Sequence, residues 1–84
     1  MAKEQTTLVV RKLVKAYLVF HRGKEVSSRE IANWINNPDN NFGMKTTIYP
    51  RKISRMINHS RHNSGSILYD VEKTCDHPMK FRLN

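Results

Sequence analysis

Apolar residues recur along this chain at two periods, about 3.6 residues as far as His62 and 2 residues beyond it. From Leu8 to His21 the apolar positions are Val9, Val10, Leu13, Val14, Ala16, Tyr17, Leu18 and Phe20. The spacing predicts a first helix capped by Thr6 or Thr7, with residues 1–6 a loose polar tail. At 100° per residue these positions sweep roughly 200°, about twice what a helix facing one core requires. Either the helix is wedged between several elements, or a second copy of the chain covers part of it. Gly23, just after His21 and Arg22, suits a left-handed terminating position. Lys24 to Val26 predicts a brief strand.

Ser27 and Glu30, three apart, form the sequence of a capping box and open a second helix that carries Ile31, Ala32, Trp34 and Ile35 on one face. Asn36-Asn37-Pro38-Asp39 ends it, and residues 36–45 are a long loop anchored by Phe42 and Met44. A third helix is expected over 46–62, capped by Thr46 or Thr47, with Pro50 in its first turn. Ile48, Tyr49, Ile53, Met56 and Ile57 gather on its apolar side with Ser60 among them. Arg51, Arg55, Asn58 and His62 follow at intervals of four, three and four on the other side, joined by Thr47 and Ser54 and flanked by Lys52, His59 and Arg61. Past Gly65 the period shortens to 2. Ile67, Tyr69 and Val71, then Met79, Phe81 and Leu83, alternate with polar residues and predict an antiparallel hairpin over 66–84 with a basic tip from Lys73 to Pro78. Asp70 and Glu72 are placed to face Arg82 and Lys80 across it. Trp34, Tyr17, Phe20, Tyr69 and Phe81 all sit in apolar series and read as core.

Charge sharpens the picture. The 84 residues hold 15 Lys and Arg against 7 Asp and Glu, a formal charge of +8, and the pI is near 10.1. Such a field on one small domain points to a polyanionic partner. No Asp or Glu occurs between Asn40 and Tyr69, a span that contains Lys45, Arg51, Lys52, Arg55 and Arg61. Guanidiniums, an amide, hydroxyls and an imidazole on one helical face are the groups that read base edges in a DNA major groove. A solvated basic surface is the plainer account of the same face.

Other chemistry is thinly represented. Cys75 is the single cysteine, so no internal disulfide forms and a reducing, cytoplasmic setting is expected. The N-terminus lacks a signal-peptide layout, and the run from Leu8 to Phe20 is broken by Arg11, Lys12 and Lys15, so no membrane span is expected. Cys75, His77, His59 and His62 lack the doubled spacing of a zinc site, and no metal or other cofactor is expected. No nucleophile with a paired base, carboxylate cluster or glycine-rich phosphate cradle is present, which argues against an enzyme and against a small-molecule ligand.

The order helix, strand, helix, helix, hairpin spans one α+β domain. With SSREIANWI in the second helix, PRKISRMI in the third and YDVEKTCDHPMKFRL in the hairpin, it resembles a winged helix-turn-helix domain over roughly residues 7–84. That resemblance implies that the third helix enters the major groove, the second braces the backbone, and the hairpin, as the wing, touches phosphate or minor groove. By position, Arg51, Ser54, Arg55 and Asn58 would read bases, while Ser28, Arg29, Lys52 and Lys73 would meet phosphate or groove. The loop between the second and third helices departs from the tight turn usual there. With Lys45 and its asparagines, it is a candidate DNA-contacting insertion. The expected function is sequence-specific binding of double-stranded DNA, as a small transcriptional regulator of a prokaryote or its virus. An RNA-binding or ribosome-associated module is the first alternative, and a protein-interaction winged helix the second. A homodimer would let two such helices meet successive major grooves.

Overall fold

The structure, a computed structural model, describes residues 2–44 and 46–84, with side chains from Thr7 onward. The elements are α1 (Ala2–Phe20), β1 (Val26–Ser27), α2 (Ser28–Asn36), a single 3-10 turn (Pro38–Asn40), α3 (Pro50–Ser60), β2 (Val71–Asp76) and β3 (Met79–Leu83). This is an α+β fold of three helices and a three-stranded antiparallel sheet in the order β1-β3-β2, ending in the β2–β3 hairpin.

The helix α1 begins at Ala2, not at Leu8, so Thr6 and Thr7 lie within it and do not cap it. Lys3, Glu4 and Gln5 are good helix formers, and this propensity extends the helix past the expected caps. It stops where expected, with Gly23 at φ +84° donating its N–H to the Leu83 carbonyl at 2.8 Å and tying the end of α1 to the end of β3. The start of α2 also follows the sequence: the Ser27 hydroxyl accepts the Glu30 N–H at 3.1 Å.

One core joins the three helices and the sheet. Val10, Val14 and Leu18 from α1 meet Ile31, Ala32 and Ile35 from α2 and Ile53, Met56 and Ile57 from α3, over Val26, Val71, Phe81 and Leu83 of the sheet. Phe81, fully buried on the central strand, is paired with Val26 on one side and Lys73 on the other. Trp34 is half-buried, with its ring 5.2 Å from Tyr17 and 4.7 Å from Phe42, so Phe42 does anchor the long loop. Burial pushes the Tyr17 phenol above its ordinary pKa, and the Glu30 carboxylate adds to the shift.

Two aromatic expectations fail. Phe20 is 76% exposed at the end of α1, and Tyr69 is 49% exposed. The second error has a clear cause. Residues 66–70 are turns and not strand: Tyr69 donates to the Ser66 carbonyl and Val71 to that of Leu68. Extrapolating a two-residue period back through a turn inverts its phase, and it is Leu68 that is buried while Ile67 points outward.

The hairpin differs too. Its turn is only His77-Pro78, and Lys73 to Asp76 belong to β2, which carries a bulge between Lys73 and Cys75. The expected basic tip is therefore absent. The expected pairs shift: Glu72, expected opposite Lys80, pairs with Arg82 at 3.0 Å, Lys80 goes to Glu25 at 3.4 Å, and Asp70, expected opposite Arg82, lies outside the ladder. Among the described residues, no helix is long and apolar enough to cross a membrane.

Candidate nucleic-acid interface

Helix α3 is shorter than the pattern suggested: it runs over Pro50–Ser60 rather than 46–62. A proline disfavours helical backbone in the residue before it, and Tyr49 accordingly sits at φ −90° and ψ 150°. Thr46 and Thr47 thus precede the helix and do not cap it. Thr47 and Tyr49 are exposed, and His62 lies in the turn beyond the helix. The buried side matches expectation otherwise, with Ile53, Met56, Ile57 and Ser60 inside.

The opposite face is divided. Arg51, Lys52, Arg55 and His59 stand exposed. No acid occupies the first turn, so the positive end of the helix dipole adds to the field of Arg51 and Lys52. Ser54 and Asn58, expected beside them as base readers, turn toward neighbouring elements instead. The Ser54 hydroxyl hydrogen-bonds the hydroxyl of Ser28, itself only 4% exposed. The Asn58 amide donates to the Met79 sulfur at 3.1 Å, which binds α3 to the hairpin. Each bond ties α3 to a neighbouring element. Arg61 is half-buried, and Arg29 is exposed at the start of α2.

Lys73 is not the free wing cation expected. It holds the Asp76 carboxylate at 2.7 Å within β2, and this ammonium pulls the Asp76 pKa below its ordinary value. What the hairpin brings to the interface is Pro78, Met79 and Lys80. With Ser27 to Glu30, Pro50, Arg51 and Ser54 these residues line an open groove of about 510 Å³ between the N-terminal turns of α2 and α3. Lys80 arrives there because its register places it opposite Ser27, a pairing between strands far apart in sequence. No local signal in the sequence marks it.

The long loop is organised by its own asparagines. The Asn36 amide donates to the Ile48 carbonyl at 2.7 Å and its oxygen accepts the Ile48 N–H at 2.8 Å. Asn40 donates to the Trp34 carbonyl at 2.8 Å, and Asn37 accepts the Asp39 N–H at 3.0 Å. These amides hold the loop backbone. Lys45, also expected to contact DNA, lies outside the described residues. Among the described residues, no group of three or more His, Cys, Asp or Glu side chains is placed to hold a metal ion. Cys75 is a free, half-buried thiol. No family model, curated protein or solved structure matches the chain.

Proposed function

We propose that this chain is a sequence-specific double-stranded-DNA-binding protein of winged helix-turn-helix type, a small non-enzymatic transcriptional regulator of a prokaryote or its virus. One observation carries the reading. An 11-residue helix is fixed to the core by Ile53, Met56 and Ile57 and presents Arg51, Lys52, Arg55 and His59 to solvent, within a span free of acids. The element order and the β1-β3-β2 sheet support the winged type. B-form DNA has a major groove wide enough for such a helix, whereas the A-form RNA major groove is too narrow.

In this reading Arg51 and Arg55, one turn apart, reach base edges. A guanidinium presents a planar fork that matches the two acceptors of guanine. Lys52 and Arg29 sit beside them as a point charge and a fork for phosphate, and Lys80 joins them from the groove by exchanging its longer, 3.4 Å pairing with Glu25. Ser28, Ser54 and Asn58 set the height and rotation of the helix. With about four phosphate contacts per chain, log K falls with log salt at a slope near −4.

Selection of bound sequences from random duplex DNA tests the proposal, with Arg55→Ala and Lys52→Ala as companions. An enriched motif is expected. R55A relaxes it at one or two positions at a cost of about 1–3 kcal/mol, whereas K52A weakens all sequences alike. A chain that enriches nothing, or prefers structured RNA at equal salt, refutes it.

A further inference from the structure

Among the described residues, nothing covers the face of α1 turned away from the core. Val10, Val14 and Leu18 point inward, yet Leu8, Val9, Val19 and Phe20 are 52%, 41%, 43% and 76% exposed. At 100° per residue these four fall within an arc of roughly 120°, with Lys12 and Ala16 along its middle. Two apolar pairs at the ends of this strip, separated by the exposed Lys12 and by Ala16, are the feature that the DNA reading leaves unused on a chain of charge +8.

We propose that a second copy of this chain docks here, with the two α1 helices antiparallel about a two-fold axis at the height of Val14. The positions are self-complementary under that operation, as an isologous contact requires. Leu8 lies beside the partner's Val19, and Val9 beside the partner's Phe20. Lys12 crosses the partner's Ala16, whose small side chain leaves space for the lysine stem while the ammonium reaches the rim.

The area suits a weak, reversible contact. The four apolar side chains leave on the order of 400 Å² uncovered per copy, and adding Leu13, Ala16 and the Lys12 stem brings the pair to about 1,000 Å², where specific interfaces begin. A lipid surface would place no demand on two-fold self-complementarity, which is why a second copy is the occupant favoured here.

Sedimentation of the whole chain without nucleic acid, at micromolar to hundreds of micromolar concentration, provides the test and is independent of any DNA affinity. A reversible dimer is expected. Phe20→Asp should weaken association by about 100-fold, and Phe20→Leu should retain it; Phe20 is exposed, so neither change threatens the fold. In a Cys75→Ser background, a Lys12→Cys chain mixed with an Ala16→Cys chain should oxidise to the mixed disulfide in preference to either self-pair. A monomer throughout the range overturns the proposal, as does a dimer indifferent to F20D. So does a monomeric chain whose binding to anionic vesicles is abolished by F20D, which would assign the face to lipid.

Discussion

Replacing Asn36 by alanine removes both hydrogen bonds that the α2 terminus makes to Ile48, at 2.7 and 2.8 Å. Ile48 is 1% exposed, so neither its N–H nor its carbonyl regains water freely. Each lost bond is worth about 1 kcal/mol net, and each backbone group left wanting adds to that, so the cost is about 2–4 kcal/mol. The whole domain has on the order of 5–10 kcal/mol of stability, and the loss lowers its Tm by at least about 10 °C. Asn40→Ala removes one bond at the more open end of the same loop and serves as the internal comparison, with an expected cost of about 1 kcal/mol. Urea denaturation of the three proteins measures this directly, provided that the slope with denaturant is unchanged. Under the proposed function, N36A also blurs base preference at temperatures where it remains folded, since Ile48 lies two residues ahead of α3. A stability loss below about 0.5 kcal/mol would mean that water replaces the amide, and the account of how α3 is positioned would fall.

Three further outcomes are expected. Leu68→Ala should cost about 2–5 kcal/mol and Tyr69→Ala under about 1 kcal/mol; denaturation giving the reverse order would restore the strand phase read from the sequence. Asp76→Asn should free Lys73 and strengthen binding to every duplex by a similar factor in low salt, whereas Lys73→Ala, which leaves the Asp76 carboxylate unpaired, should weaken it to a comparable extent; fluorescence anisotropy distinguishes the two. The Glu72 carboxyl is held below its ordinary pKa by hydrogen bonds from Arg82 and then Asn84, and that of Asp76 by Lys73. Lowered folded values mean that these pairs stabilise the fold above the ordinary carboxylate range. That stability is lost as pH falls through the folded values, a small loss because both carboxylates are exposed. A thermal midpoint for Glu72→Gln that changes with pH as the parent does between pH 6 and 3 would refute the pairing.

Much of the fold was legible locally. Ser27 and Glu30 mark the start of α2, Gly23 the end of α1, and the shift of apolar period after Gly65 the approach of the hairpin. The three-four spacing around Ile53, Met56 and Ile57 separates a buried side from a cationic one before any coordinates are known. Even the late start of α3 is encoded locally, in Pro50, which keeps Tyr49 in extended backbone. These features depend on backbone geometry within a few residues, which a linear sequence states in full.

What the sequence could not state is which polar groups find one another. Ser54 with Ser28, Asn58 with Met79 and Lys73 with Asp76 each looked like a free contact, and Lys80 was placed against an acid of the hairpin rather than Glu25, because a charge or polar group on a helical or strand face carries no mark of its partner. Those pairings arise only when α2, α3 and the hairpin pack on the core. Packing also decided that Leu68 enters the core, that Lys80 reaches the groove, and that the excess apolar arc of α1 stays uncovered. Periodicity fixes which residues share a face; only the assembled chain fixes what that face meets.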